Sequence, residues 1–327
     1  MEIRQLQYFV EVARSKSFSR AAIALGIAQP ALSRQVQQLE NELTVPLFYR
    51  NGRGVSLTSA GELLFAHATD ILGSVSAATS EVMALRGQPT GSAIVGVPPS
   101  IGRVLTLPLV QRLKERFPMV SVKIMEGFSG HILEWLLNGR IDVGIFYDDP
   151  MTHRFVLEPL AREWLYLIGP ASNPDNLDDD TVPCDRLFSL PLIMPTRSHG
   201  LRLYLDSVAM RMKGNFRIEL EVDALFSTLH AVREGMGYTV LPHVSLLNEG
   251  ASDQFRFWRI VDPDLVRIVT MSTYGHRPDS VPTRQICRVV REEVRSLINA
   301  GHWQPVMPTP VPTGAGAEAE AEAEDER

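Results

Sequence analysis

The segment FSRAAIALGIAQPALSRQVQQLENEL, residues 18–43, constrains this chain more than any other. Its apolar residues recur at helical spacing on both sides of a single glycine, Gly26. Glycine accepts the left-handed backbone that ends a helix, so the segment predicts two helices joined by a tight turn. Ser17 and Ser19 offer cap oxygens for the first of them, which runs to Leu25. The second spans about Gln29 to Leu43, with Pro30 tolerated in its opening turn. Upstream, Leu6, Phe9, Val10, Val12 and Ala13 mark another helix against which the pair can pack. In the helix after the turn, Leu32, Val36, Leu39 and Leu43 fall on one side. Gln29, Ser33, Arg34 and Gln37 fall on the other. A solvated face explains such a set equally well in isolation, but in a helix-turn-helix the polar face is the one that enters a groove.

The next residues of the chain support the groove-entering face. PLFYRNGRGVSLT places Asn51-Gly52 between two short apolar runs, a strong hairpin signal. Leu47–Arg50 and Val55–Leu57 are its expected strands, with Arg50 and Arg53 flanking the tip. Ser59 and Glu62 have the spacing of a capping box. From there to about Arg86, Leu63, Leu64, Ile71, Leu72, Val75, Val82 and Leu85 form an apolar stripe on a helix about 40 Å long. A helix of that length can fold back on its own domain or pair with a second copy, and the long stripe favours pairing. RGQPTG, residues 86–91, breaks the pattern. Beyond it strands and helices alternate, from Ala93–Val97 to Tyr238–Leu241, which predicts a mainly parallel sheet covered by helices. The proline-rich and acidic run from about Pro305 is expected to be disordered.

Charge has to be read by segment. The net charge of −6 arises almost entirely from the terminal AEAEAEAEDER. In residues 1–57, Arg4, Arg14, Lys16, Arg20, Arg34, Arg50 and Arg53 outnumber Glu2, Glu11, Glu40 and Glu42. Such a block can displace counterions from DNA. Cys184 and Cys287 are too few and too far apart for a disulfide framework or a cysteine metal site. No secretion signal or apolar membrane span is evident, which leads us to expect a cytoplasmic protein.

IRQLQYFVEVARSKSFSRAAIALGIAQPALSRQVQQLENEL, together with PLFYRNGRGVSLTSAGELL, resembles the N-terminal domain of LysR-type transcriptional regulators. The likeness continues through RFPMVSVKIMEGFSGHILEWLLNGRIDVGI and EGMGYTVLP, to about residue 300. SGHILEWLLNGR is similar to the branch that contains nitrogen-assimilation regulators. Thr44 departs from the pattern, since the family usually has glycine after the third helix. The resemblance implies an α/β protein with a winged helix-turn-helix (1–58), a linker helix that dimerises (59–89) and a two-lobed effector-binding domain of the periplasmic-binding-protein type (90–303). Lobe one would comprise about 90–162 plus 267–303, lobe two about 163–266, and 304–327 a disordered tail. It also implies double-stranded promoter DNA as partner, a homodimer through the linker helix and a homotetramer built from two dimers.

By the same resemblance Gln29, Pro30, Ser33, Arg34 and Gln37 lie near DNA, and Arg50 and Arg53 reach phosphates or the minor groove. The pairing chemistry agrees, since arginine matches guanine and glutamine matches adenine in fork geometry. In the second part, three strand-to-helix loops stand out: VPPSIG with Ser100, EGFSGH with Ser129 and Gly130, and MPTRSHGLR with Thr196, Arg197 and Arg202. Hydroxyls and backbone N–H groups at helix starts favour an anion, so a small carboxylate or similar anion is expected as effector, held by Ser100, Ser129 and Thr196, with Arg197 or Arg202 as its charge partner. Each hydroxyl could instead merely cap its helix. His131 and Glu134 have an H-x-x-E spacing without further ligands, and no nucleophile elbow or phosphate loop occurs, so neither a metal, a cofactor nor an enzyme is expected. The competing readings are a solute-binding protein and a small-molecule binding module without specific DNA activity.

Overall fold

The computed structural model describes residues 1–51, 54–85, 89–147, 155–177, 180–246, 254–274 and 278–303. Arg53, residues 86–88 of the expected breaker 86–91 and the tail from 304 lie outside them. Helices α1 (Ile3–Ser15), α2 (Phe18–Leu25) and α3 (Gln29–Leu43) form the N-terminal unit. Ser17 caps α2 by accepting from the Arg20 N–H, and Gly26 ends it at φ 64°. Phe9, Val12, Leu32, Val36 and Leu39 are fully buried between the three helices. Each such side chain contributes about 2 kcal/mol by leaving water.

The wing consists of β1 (Phe48–Asn51) and β2 (Gly54–Leu57), paired antiparallel. It is pinned by Phe48, whose ring lies 5.2 Å from Phe9 and 5.8 Å from Phe18. Helix α4 (Ser59–Ala84) then leaves the unit. Its cap is Thr58 rather than Ser59: the Thr58 hydroxyl accepts from Gly61 N at 3.0 Å and donates to Pro46 O at 2.8 Å. Gly61 is required there, because a Cβ would stand 2.1 Å from the Leu47 carbonyl.

The remainder is built around one long strand. Lobe one holds β3 (Gly91–Val97), α5 (Pro99–Arg116), β4 (Val120–Glu126), α6 (Ser129–Leu137) and β5 (Val143–Tyr147). Strand β6 (Glu158–Pro170) then passes into lobe two. Lobe two contains β7 (Thr181–Pro183), β8 (Pro191–Met194), α7 (Gly200–Arg211), β9 (Arg217–Glu221), α8 (Leu225–Arg233), β10 (Thr239–Pro242) and β11 (Phe255–Val261). Strand β12 (Val266–Thr273) and helix α9 (Val281–Asn299) return to lobe one.

The expected mainly parallel sheet is only half present. β4, β3 and β5 are parallel, as are β8 and β9. β12 runs antiparallel to β5 and to the first half of β6, and β10 and β11 run antiparallel to its second half. The cause is simple. A chain that crosses between lobes and comes back must pair its return strand with its outgoing strand in opposite directions. Two lobes joined by β6 and the β11–β12 return are free to change their mutual angle with few backbone rotations.

Helix α4 divides its surface. Leu64 and Leu72 pack on the N-terminal core, and the Ser80 hydroxyl accepts from Val281 N at 3.1 Å. Arg284 pairs with Glu81 at 3.1 Å. Ile71, Val75 and Val82, spaced by four and seven residues, stay exposed. A second contact joins the N-terminal unit to lobe one: the Arg14 guanidinium donates to the Asn138 and Gly139 carbonyls at 3.0 and 2.8 Å, at the end of α6.

Candidate nucleic-acid interface and ligand cleft

The buried set of α3 recurs at its core-facing positions, so its polar residues must face away. Gln29, Pro30, Arg34 and Gln37 are exposed and Ser33 is half-buried. The Arg34 side chain bends back to the Pro30 carbonyl at 3.3 Å, and Gln37 reaches Asn41 at 3.4 Å. Both contacts are weak and local, and leave the side chains able to turn toward a partner. Arg50, on the wing, lies 3.5 Å from the Gln37 amide oxygen and 3.6 Å from Glu40, with its guanidinium over the Phe18 ring. Helix and wing thus present one continuous polar edge.

Sequence reasoning counted Glu40 only as a negative charge. Glu40 is 8% exposed and accepts from the Leu47 and Phe48 N–H groups at 2.8 and 3.2 Å. It ties the start of the wing to the recognition helix. Its signal in the sequence was its position: Glu40 comes directly after Leu39 on the buried side of α3.

The second candidate site lies between the lobes, where α5, α6, α7 and α8 all begin. It is a cavity of about 70 Å³. Pro98, Phe128, Pro195, Leu225 and Leu241 supply apolar walls. Ser100 and Ser129 line it, but neither caps its helix. The Ser100 hydroxyl sits 3.2 Å from the Tyr147 hydroxyl, and Ser129 accepts from Tyr147 N at 3.2 Å. Gly130 is exposed just outside. Thr196 borders the cleft without lining it: its N–H and hydroxyl both go to Asp223 at 2.8 Å, which holds the third loop in place.

The expected cations are elsewhere. Arg197 is exposed on another surface beside Glu219. Arg202 is buried, but its guanidinium binds Asp206, Glu221 and the Pro195 carbonyl at 2.9, 2.7 and 3.0 Å. It braces α7 against β9. The cation that does line the cleft is Arg267, 7% exposed and stacked 4.4 Å from the centre of the Tyr147 ring. Behind it, Glu163 accepts from the Tyr147 hydroxyl and the Trp303 indole N–H, both at 2.8 Å. Burial pushes the Glu163 carboxyl up to about 7 against the opposing pull of those hydrogen bonds and of Arg267. Burial likewise raises the Tyr147 phenol, helped by the charge of Glu163.

His199 is the N-cap of α7; its Nδ1 accepts from Leu201 N at 3.1 Å, which leaves the proton on Nε2. Burial, then the charge of Arg267, lowers its pKa to about 4, so the ring is neutral at pH 7. Its ring meets Phe128 across the cleft at 4.3 Å. His131, considered for a metal, instead continues this aromatic row between Phe128 and Trp135. The two thiols are remote from both sites: Cys184 lies in the lobe-two core and Cys287 in the lobe-one core. Burial raises them to about 11 and about 12, which suppresses the reactive thiolate.

Comparison with known proteins agrees with this architecture. Residues 3–62 match the bacterial regulatory helix-turn-helix protein, lysR family, and residues 86–295 match the LysR substrate binding domain. The nitrogen assimilation regulatory protein nac of Klebsiella aerogenes is 32% identical over 243 residues, covering 74% of this chain and 78% of that protein. The HTH-type transcriptional regulator BbuR of Bordetella bronchiseptica is 28% identical over 305 residues, covering 93% of each. A full-length OxyR variant from Pseudomonas aeruginosa superposes with a TM-score of 0.72 at 25% identity, covering 90% of this chain and 95% of that one. Full-length CbnR in complex with its target DNA has a TM-score of 0.59 at 23% identity, covering 90% of this chain and 99% of that one, and shares the fold. The helix-turn-helix, the long linker helix and the two α/β lobes therefore make this chain a member of the LysR family of ligand-responsive, DNA-binding transcriptional regulators.

Proposed function

We propose that this regulator reads promoter DNA with Gln29, Pro30, Ser33, Arg34 and Gln37 in the major groove, while Arg50 and Arg53 hold the flanking backbone. The observation that carries this reading is the outward polar edge of α3, continuous with the wing through Arg50. Arg34 and Gln37 carry the fork-shaped groups that discriminate bases, and Ser33 and Arg50 suit phosphates. The exposed Ile71, Val75 and Val82 of α4 form the seam of a homodimer, and pairs of dimers give the tetramer. The protein acts in the cytoplasm, where DNA and metabolite are both available.

The effector is a small anion bound between the lobes, at the cleft lined by Ser100 and Ser129. A ligand shifts a regulator only through its different affinity for two states. Closing the lobes around the anion would change the subunit packing, and with it the spacing and bend imposed on DNA.

Arg34→Ala tests the DNA half. Titrated against a site recovered from genomic DNA at fixed salt, the variant is expected to lose ~1–3 kcal/mol of specific binding. Its affinity for unrelated DNA should change far less. Unchanged affinity at the specific site would remove Arg34 from the readout set.

A further inference from the structure

The wing arginine sits in a three-sided cradle that a contact to DNA phosphate alone does not require. One terminal nitrogen of Arg50, Nη2, lies 3.6 Å from Glu40 Oε2 and 3.5 Å from Gln37 Oε1. The guanidinium carbon stands 4.9 Å from the centre of the Phe18 ring. The far side of Glu40 is fixed. Its Oε1 accepts from the Leu47 and Phe48 N–H groups, so the buried carboxylate cannot turn without detaching the wing. Phe18 is also buried, edge-on to Phe48. Two walls of the cradle thus belong to the core, while the third, Gln37, is exposed on the outer face of α3. The consequence lies in the Gln37 amide. Arginine is a donor only, so the amide atom that faces it must be the oxygen. The NH2 group is left to the other side, where it meets Asn41 Oδ1 at 3.4 Å. Each contact is weak alone, but both favour the same orientation of the amide. Adenine accepts a single orientation, with the amide oxygen toward its N6 amino group and the NH2 toward N7.

We propose that Glu40 and Arg50 are positioning residues for base readout: Glu40 holds the Arg50 guanidinium, and Arg50 sets the Gln37 amide in the orientation that meets a base. This rests on the reading of α3 as the groove-entering helix. It adds to the role of Arg50 at the DNA backbone, because a guanidinium has five N–H groups and the contacts to Gln37 and Glu40 use one nitrogen. Two conservative substitutions separate the roles. Arg50→Lys keeps the positive charge that suits a phosphate but loses the planar fork that reaches Glu40 and Gln37 together. Glu40→Gln keeps an oxygen for the wing N–H groups but loses the charge that holds the guanidinium. An arginine that only touches phosphate affects all sequences alike. An arginine that positions Gln37 affects which base is preferred.

The test uses the full-length protein. A site is selected from a randomised duplex pool at fixed salt, then that site, its single-base variants and unrelated DNA are titrated. The wild type is compared with Gln37→Ala, Arg50→Lys, Glu40→Gln and the two double variants that carry Gln37→Ala. Gln37→Ala is expected to lose about tenfold discrimination at one base pair, which identifies the pair that Gln37 reads. Arg50→Lys and Glu40→Gln should each lose at least about threefold at that same pair, with discrimination at the other pairs kept, and neither should lose more when Gln37→Ala is also present. The affinity of Glu40→Gln for unrelated DNA should stay level or rise, since a negative charge near the backbone is gone. Unchanged discrimination in Arg50→Lys, or a loss that adds to that of Gln37→Ala, would overturn the assignment. So would equal weakening on every sequence, which is the outcome of a structural or phosphate role alone. Arg50 is exposed, so Arg50→Lys decides the matter if Glu40→Gln fails to fold. No selected site, or Gln37→Ala with every preference intact, would refute the reading of α3 at Gln37 and this inference with it. A preference lost in Gln37→Ala but kept in Arg50→Lys would refute the inference alone.

Discussion

Thr44 shows how a single residue bears strain that the sequence already signals. It ends α3 at φ 60°, the left-handed region that suits glycine. A β-branched residue there costs roughly 1–2 kcal/mol, partly offset because glycine loses more backbone entropy on folding. Thr44→Gly is therefore expected to stabilise the protein by about 1 kcal/mol, seen as a higher denaturant midpoint at unchanged slope. A lower midpoint would mean that threonine makes a compensating contact.

Two buried titrating groups act in opposite directions. Glu163, raised to about 7 by burial, stays protonated in the fold while the unfolded chain ionises above pH 4.5, so its burial costs stability increasingly from pH 4.5 to 7. His199, lowered to about 4, refuses a proton that the unfolded chain accepts below pH 6.5, so its burial costs stability as pH falls from 6.5 to 4. Glu163→Gln removes the first effect. Relative to the wild type it should gain about 3 kcal/mol between pH 4.5 and 7, measured by urea unfolding at each pH. A difference independent of pH would show that Glu163 is ionised throughout. The sequence placed His199 in the loop MPTRSHGLR without revealing its burial, and it did not make Glu163 legible. Glu163, Tyr147, Arg267 and Trp303 carry no motif and converge only through strand pairing and the return of the chain after α9. The core and outer positions of α3 could be read because one helical period fixes both.

Elements differ in how much of them a local pattern reveals. The helices of the N-terminal unit lie where capping and glycine signals place them, since their stability is decided within a few turns. The alternation beyond residue 90 shows βα units, but not that β6 would be a shared strand with antiparallel neighbours on its length. Strand direction is set by which lobe the chain returns to, and no short window contains that. Helix α9 was legible in principle: Ile286, Val289, Val290, Val294 and Leu297 recur at helical spacing and are buried. For α4 the stripe is apparent but its partners are not. The Ser80 and Glu81 side docks on the start of α9, and Ile71, Val75 and Val82 remain outside. Val75→Glu with Val82→Glu should lower the oligomeric state by sedimentation while leaving the melting transition cooperative. An unchanged sedimentation coefficient would place the dimer seam elsewhere.

At the scale of the molecule, α6 has its first residue in the cleft, while the Asn138 and Gly139 carbonyls just past its end accept from Arg14 of the DNA-binding unit. A ligand that repositions α6 therefore acts on a contact that the N-terminal unit also uses. The central claim remains that the α3 edge recognises particular promoters. The most direct test is selection of genomic fragments by the full-length protein at a fixed, stated salt concentration, with sequencing of the bound pool and Arg34→Ala/Gln37→Ala run in parallel. Enrichment of a few intergenic sites by the wild type, lost in the double variant although it folds equally well, is the predicted result. The same sites enriched by both proteins, or no enrichment by the wild type with and without metabolite extract, would contradict it.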